Sequence, residues 1–372
     1  MRQICTLEAV VLARELDNLR GYRIDKFYET GKGRFRFRLS RPGSKLDIIC
    51  ILCEAINRSR YIEAAEMVTN FAVSVRKRIG NAVIESVRQI NEDRIIAFGL
   101  SRGEERMEPI FEMFGKGNLV LVGQDGVIRL AYIRHRFRDR SINTGEVYTN
   151  PKNSQASITG IAANSGVIAD RLRGESGESS VIKVLTGSVN IGSIYIEDVL
   201  NGLGIQPKSA AKSLSDPQIS SIIERLNNLN RIIDSPIPIV YLDEAGKAAD
   251  YALARISKYN GYKSIEFGSL QEAMEYVENN SPQPLPKKSP IAEELEVSMA
   301  KQREVMGSII EGIERNKRAG EIIFNNMHIV NKIIEEASKD KHITKERMQE
   351  LFPDVNIIDV DLKDKRIEIE MD

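Results

Sequence analysis

Three histidines and three cysteines serve all 372 residues. That scarcity leaves few ligands for a metal centre and too few thiols for a disulfide framework. Cys50-Ile-Leu-Cys53 spells the spacing of a zinc or redox pair, but no second such pair exists. The two thiols sit in an apolar stretch beginning at Leu46, where residues three apart point to opposite faces of a strand. Buried structural thiols are expected instead, with no metal and no cofactor. A GxxxxGK phosphate loop is missing too, and no nucleophile with an acid or base partner stands out. No apolar run approaches the roughly 20 residues of a membrane helix. Met1-Arg2-Gln3 leads into an amphipathic segment rather than a signal peptide, so a cytoplasmic chain with no membrane partner is expected.

Net charge is also missing, with 53 basic against 53 acidic residues. The balance conceals an asymmetry. Residues 1–150 hold 26 Lys and Arg against 19 Asp and Glu, a formal +7, so the remainder carries −7. Of those 26 cations 21 are arginine, a bias that favours phosphate recognition over mere solubility.

Gly115 to Tyr148 shows where the arginines gather. Asn118 to Val122 reads as an apolar strand, Asp125-Gly126 as a turn, and Val127 to Ile133 as the returning strand. Arg134, Arg136, Arg138 and Arg140 follow at alternate positions. In an extended chain they would line one face roughly 6.6 Å apart, a row suited to phosphates. The same row could be a solvated strand edge that discourages aggregation. A second row, Arg34, Arg36 and Arg38, alternates with Phe35 and Phe37; the rings are expected to face the core and the arginines solvent. A helical cluster, Arg76, Lys77 and Arg78, supplies a third basic element.

The pattern along the chain is α+β with a mostly antiparallel sheet. A helix is expected over Thr6 to Leu19 with Thr6 as N-cap, and strands over Tyr22 to Tyr28, Arg34 to Leu39 and Asp47 to Leu52. Phe71 to Ile79 is helical, and the chain from Ala82 reads strand by strand to Ile133. Pro151 to Ser180 has little periodicity and reads as a connection. Val181 to Leu185, Ile194 to Leu203 and Pro217 to Leu229 carry helical spacings. The Gly202-Leu-Gly204 turn gives them the look of a helix-hairpin-helix, whose backbone amides can approach a phosphate, although ordinary helical packing explains it equally. Ile237 to Asp243 and Ile265 to Phe267 suggest a small β element, followed by a helix over Leu270 to Val277. Pro282, Pro284, Pro286 and Pro290 form a stiff spacer. Beyond it, Leu295, Met299, Met306, Ile310 and Ile313, then Ile323, Met327, Val330 and Ile334, mark a coiled-coil seam that lapses at Asn316 to Gly320. About 45 residues of helix would extend roughly 68 Å. A helix of that length needs a partner over residues 295–334, from a second copy or from a segment absent here. A small β unit is expected at Val355 to Met371.

TLEAVVLARELDNLRGYRIDKFYE at the start, FAVSVRKRIG, NEDRI, FEMFGKGNLVLVGQDGVI, RHRFRDR and NIGSIYIEDVLNGLGI together resemble the NFACT family. This family comprises the RqcH-type ribosome quality-control factors of prokaryotes, long misnamed fibronectin-binding proteins, and the animal nuclear export mediator factor. The resemblance implies an NFACT-N domain over 1–165, similar in fold to formamidopyrimidine-type DNA glycosylases, and a helix-hairpin-helix domain over 166–235. It further implies a small β element over 236–280, a spacer and first coiled-coil helix over 281–340, and a truncated further domain over 341–372. The partners it implies are the large ribosomal subunit, a stalled peptidyl-tRNA and a charged tRNA, with an alanine acceptor expected for mRNA-independent tailing. The ribosome performs the peptidyl transfer, so no catalytic residue is expected.

Carried onto this chain, the family's Asp-Arg pair falls on Asp93-Arg94, which alternatively reads as an ion pair at a strand start. Glu8 stands where relatives often carry an acidic residue. Glu112 and Met113 match positions that contact the anticodon arm, and Lys116 continues that motif. Gly202 and Gly204 are possible backbone contacts. The resemblance does not extend to the family's C-terminal half, so a fragment of a longer factor is expected. Two other classes compete: a DNA-repair glycosylase, which would need a terminal proline amine where Met1-Arg2-Gln3 stands, and a coiled-coil adhesion or scaffold protein, which would need surface export.

Overall fold

The computed structural model describes residues 2–59, 69–174, 179–280, 290–340, 342–361 and 363–370. Internal contacts divide the chain into two units, Met1–Pro282 and Gln283–Asp372.

In the first unit α1 (Thr6–Leu16) buries Leu7, Val11, Leu12 and Leu16 at helical spacing. Its N-cap is Cys5 rather than Thr6, because the Glu8 carboxylate reaches back to accept the Cys5 N–H at 2.9 Å. A short 3-10 turn, Asp17–Leu19, ends the segment. Next come β1 (Arg23–Gly31), β2 (Arg34–Arg41), β3 (Ser44–Ile51), β4 (Ala55–Ser59) and α2 (Asn70–Ile79), the last capped by the Thr69 hydroxyl. The chain then meanders through β5 (Val83–Gln89), β6 (Ile95–Arg102), β7 (Glu105–Glu112), β8 (Asn118–Gly123) and β9 (Ile128–Ala131). All nine strands form one antiparallel sheet in the order β4-β3-β2-β1-β5-β6-β7-β8-β9. It is two meanders joined where Arg23 of β1 meets Val83 of β5.

Alternation along the strands feeds two cores on opposite faces. Phe27, Phe35, Phe37, Phe98, Phe111, Leu119 and Leu121 lie in the larger one, and Ile95, Ala97, Ile110, Val120, Val122 and Ile128 in the smaller. β8 is therefore buried at every position. A ribbon of β10 (His135–Arg136) and β11 (Ser141–Ile142) closes the smaller core through Ile142.

The helical part begins with α3 (Ser165–Gly174), inside the stretch that reads as a connection. Serine and glycine at its start give it weak intrinsic propensity, and burial of Ile168, Ala169 and Leu172 makes it a helix. α4 (Val181–Ser188) and α5 (Ser193–Gly202) form the tight helical hairpin. Its turn is Val189 to Gly192, not Gly202 to Gly204; the latter turn ends α5, and a 3-10 turn intervenes before α6 (Asp216–Asn228). Gly192 has φ +114°, and a Cβ there would lie 2.6 Å from Cys5 Cβ, so the hairpin turn packs directly on the start of α1. After α7 (Asn230–Asp234), a three-stranded sheet of β12 (Ile239–Leu242), β13 (Ala248–Ala252) and β14 (Lys263–Glu266) leads into α8 (Leu270–Asn280). One continuous core runs from Ile4 to Val277, uniting sheet, helices and small β element.

In the second unit, α9 (Pro290–Asn325) and α10 (Met327–Lys339) are separated at Asn326. The helix continues through Asn316 to Gly320, where the seam lapses, so the break lies six residues later than the apolar pattern suggests. Met299, Met306, Ile310, Ile313, Ile323, Met327 and Ile334 are exposed. Pro282, Pro284 and Pro286 lie outside the described residues, as does the Leu295 side chain. α11 (Lys345–Leu351) and the hairpin β15 (Asn356–Asp361)–β16 (Arg366–Glu370) enclose a small core with Ile333, Met348 and Ile357. No described helix is long and apolar enough to cross a membrane.

Candidate nucleic-acid interface

The turn between β5 and β6 holds Asp93 and Arg94. Asn91 and Glu92 have φ of +57° and +46°, and the Asp93 N–H donates to the Ile90 carbonyl at 3.1 Å, the geometry of a type I′ hairpin turn. A glutamate in the left-handed region is strained. Neighbours hold it there: the Thr159 hydroxyl donates to its carboxylate at 2.7 Å, and Asn91 Nδ2 donates to the Pro151 carbonyl at 3.1 Å. The Asp93 carboxylate accepts from the Arg94 N–H at 2.7 Å and from Asn190 Nδ2 at 3.3 Å. Asn190 in turn accepts the Thr6 hydroxyl at 2.8 Å, so the turn of the helical hairpin and the start of α1 together fix Asp93. Asp93 and Arg94 therefore make no ion pair with each other. The Arg94 guanidinium has no ion-pair partner among the described residues and sits 6.0 Å from the Phe114 ring centroid.

Phe114 belongs to the Gly115-Lys116-Gly117 loop between β7 and β8. Gly117 has φ +70°, and a Cβ there would meet Leu52 Cβ at 2.6 Å and the Cys53 sulfur at 3.0 Å. The loop thus lies against the turn that ends the Cys-x-x-Cys stretch, where Cys53 itself has φ +69°. Burial pushes the Cys53 thiol up, opposed by nearby Arg94, and pushes Cys5 and Cys50 up further. All three cysteines are buried and free. Gly117→Ala combines backbone strain with a clash against the Leu52 and Cys53 side chains and should cost about 2 kcal/mol, read as a lower urea midpoint.

The four-arginine row is a small hairpin in the structure. Asn118 anchors its base, its side chain exchanging hydrogen bonds with the Ile133 N–H and carbonyl at 2.9 and 2.8 Å. The Phe137 N–H donates to the Arg140 carbonyl at 2.8 Å, leaving Arg138 and Asp139 at the tip. Arg134, Arg136 and Arg138 are exposed and have no ion-pair partner among the described residues. Arg140 departs from the expected row: it turns inward and makes two bonds to Glu112, at 2.5 and 3.1 Å, with side-chain exposures of 3% and 4%. The Tyr148 hydroxyl donates to the same carboxylate at 2.9 Å. Burial opposes the charge on Arg140, but Glu112 outweighs it and lifts the pKa above the ordinary arginine value. Burial and the same carboxylate push Tyr148 up, so it stays a neutral donor.

Arg140 is the centre of a ladder of rings and cations. Its guanidinium lies 5.0 Å from the Phe137 centroid and 5.9 Å from that of Phe114. His135 meets Phe137 edge-on at 4.5 Å. His135, Phe137, Arg140, Phe114 and Arg94 therefore form one continuous series from the arginine hairpin to the Asp93 turn. Lys116, exposed and unpaired among the described residues, sits beside Phe114.

Several expected contact residues are internal. Glu112 and Met113 are buried, so neither side chain is presented to an RNA. Glu8 is wholly buried: Arg2 donates to it at 2.9 Å and Tyr195 at 3.1 Å, and Arg2 also reaches Asp250 at 2.7 Å. It ties the N-terminus to α5 and β13. In the second basic row, Arg36 is buried over the Tyr28 ring at 4.3 Å, and Arg34 pairs with Glu278 of α8. Arg38 is half-buried beside Asp47 at 3.4 Å. Glu278 of α8 reaches Arg34 from far along the chain, a long-range event invisible in the alternation, while Arg36 is covered by Tyr28 of β1 and lies 3.7 Å from Asp47 of β3. Arg76 is spent on the Phe27 carbonyl at 2.5 Å and lies 5.0 Å from the Tyr28 ring centroid. Arg78 donates to the Ser74 carbonyl at 3.2 Å, while Lys77 is exposed. Arg102, which contacts the Lys77 carbonyl at 3.3 Å, lies eight residues along β6 from Arg94. At about 3.3 Å per residue that is roughly 26 Å, so the three basic elements do not converge. Gly202 abuts the Arg225 guanidinium and Gly204 is open, with φ +68°.

Asn190, Phe114, Phe137 and Tyr148 were not singled out by sequence reasoning. Only Phe137 carried a signal, a ring between arginines outside any core strand.

This antiparallel sheet joined to a helical module is a fold shared with the fibrinogen binding protein from Staphylococcus aureus. That structure aligns with a TM-score of 0.57 at 17% identity, over 73% of this chain and 97% of its own. Residues 4–352 match the NFACT N-terminal and middle domains, and the chain belongs to this family. Among relatives, the Archaeal Rqc2 homolog aRqcH of Methanocaldococcus jannaschii is 24% identical over 358 residues, covering 89% of this chain and 51% of the relative. The Ribosome quality control complex subunit NEMF homolog of Drosophila melanogaster is 27% identical over 120 residues, 31% of this chain and 12% of the relative. The chain thus spans about half the length, or less, of these relatives.

Proposed function

We propose that this chain is the RNA-gripping part of a ribosome quality-control factor working in the cytoplasm. It recruits charged tRNA, an alanine acceptor being the expected one, to a large ribosomal subunit that carries an obstructed peptidyl-tRNA. The nascent chain is then extended without mRNA. Peptide-bond chemistry belongs to the ribosome; the chain supplies positioning and no catalytic group.

The observation that carries this reading is a set of cations with no ion-pair partner among the described residues, Arg94, Lys116, Arg134, Arg136 and Arg138, beside the Phe114–Arg140–Phe137 series. Guanidiniums without ion-pair partners among the described residues, beside the exposed Phe137 ring and the half-buried Phe114, suit RNA phosphates and bases. The names of the relatives supply the ribosomal setting. The exposed apolar seam of α9 fits a partner helix, from a second copy of the chain or another segment.

The direct test is purification from extract at mild salt with sequencing of every RNA that follows. Enrichment of one tRNA, with or without large-subunit rRNA, supports recruitment; RNA at background level counts against it. Asp93→Ala with Arg94→Ala should abolish tRNA enrichment while the thermal midpoint stays within a few degrees. Undiminished tRNA recovery by a folded double variant would remove that pair from the interface.

A further inference from the structure

We infer that Phe137 is a stacking platform for an unpaired RNA base, with Arg134, Arg136 and Arg138 taking the phosphates on either side. This rests on the RNA-binding reading above and names what part of the RNA is held.

Phe137 is 42% exposed although it sits on a well-anchored ribbon. Its ring is not loose. The Arg140 guanidinium lies 5.0 Å from the centroid, and that guanidinium is clamped by Glu112, which Tyr148 holds in turn. His135 closes one edge of the ring at 4.5 Å. The ring is thus held from within by a buried cation and presents its remaining surface to solvent. A guanidinium beside an aromatic ring orients it at little entropic cost when the cation is itself fixed.

Three exposed arginines, Arg134, Arg136 and Arg138, stand within three residues of Phe137 along the chain, and none has an ion-pair partner among the described residues. Their natural counter-charge is a polyanion, which separates this ring from an ordinary exposed phenylalanine. Bases within an A-form helix are stacked on both sides and have no face to offer, whereas bases in loops, bulges and ends stack on aromatic side chains and arginine planes. The occupant is therefore single-stranded RNA. The ladder then continues inward from Phe137 through Arg140 and Phe114 to Arg94, so occupancy of the hairpin and of the Asp93 turn lie on one physical path.

The chain contains no tryptophan, so Phe137→Trp places a single indole reporter at the site. With the whole chain, oligoadenylate and a blunt RNA duplex are titrated while anisotropy of the labelled RNA reports binding. Quenching of indole emission by oligoadenylate, and not by the duplex, is the expected result. If both RNAs bind and emission does not change, the stacking assignment is overturned while RNA binding stands. If neither binds, the RNA reading itself fails. Phe137→Leu should weaken oligoadenylate binding roughly tenfold and Phe137→Tyr should restore it, because both rings present a π face. Equal losses for duplex and single strand, or full affinity in Phe137→Leu, would also overturn the assignment; so would emission that responds to proteins of the extract but to neither RNA.

Discussion

Arg140→Met is expected to lower the unfolding free energy by about 3–5 kcal/mol, because it strands a buried carboxylate. Glu112 and Arg140 are 4% and 3% exposed and bonded through both carboxylate oxygens. Removing the cation leaves Glu112 with the Tyr148 hydroxyl as its principal remaining donor. A carboxylate in that position must either take up a proton or draw in water. The double variant Arg140→Met with Glu112→Leu should recover much of the loss, since no uncompensated charge then remains. Chemical denaturation of the three variants measures both effects. If Arg140→Met unfolds at the wild-type midpoint and loses only RNA affinity, Arg140 belongs to the exposed row after all.

Replacing Arg134, Arg136 and Arg138 together with alanine produces the opposite signature: weakened RNA binding with the fold intact. Each phosphate contact on a single strand contributes about 0.7 to the slope of log affinity against log salt, so three lost contacts flatten it by about 2. At low salt the affinity falls by roughly tenfold or more. The thermal midpoint should not move, because these side chains are exposed and pair with nothing among the described residues. An unchanged salt slope would mean that the RNA contacts lie elsewhere on the chain.

These two predictions separate arginines that the sequence presents as equals. Arg134, Arg136, Arg138 and Arg140 are equally spaced, yet one is a structural cation and three are surface cations. Period-two logic applies to a straight strand, and a two-residue ribbon with a turn at Arg138-Asp139 breaks the alternation before Arg140. The Phe35–Phe37 row fails differently. Its alternation was read correctly, since Phe35 and Phe37 are both buried, but the opposite face of the strand is also covered. Glu278 of α8 and the Tyr28 ring occupy Arg34 and Arg36, from 244 residues away in the first case. Asp93-Arg94 was legible as a motif through family resemblance. Its conformation was not: the left-handed Glu92 and the bond from Asn190 depend on a helical hairpin nearly 100 residues later.

By itself the sequence determined what local pattern can determine. The first three strands, the antiparallel run after Ala82 and most helices follow from periodicity and turn residues, the free buried thiols from their scarcity and apolar setting, and the apolar stripe on α9 from its heptads, whereas β4 (Ala55–Ser59) was not read. Even there, α3 and the break at Asn326 escaped, since weak propensity and seam chemistry do not report packing. Tertiary structure alone decided which charges face outward. An arginine carries the same charge in either place, and only the carboxylates, rings and carbonyls brought beside it by distant segments settle whether it is a buried tether or a free hand for RNA.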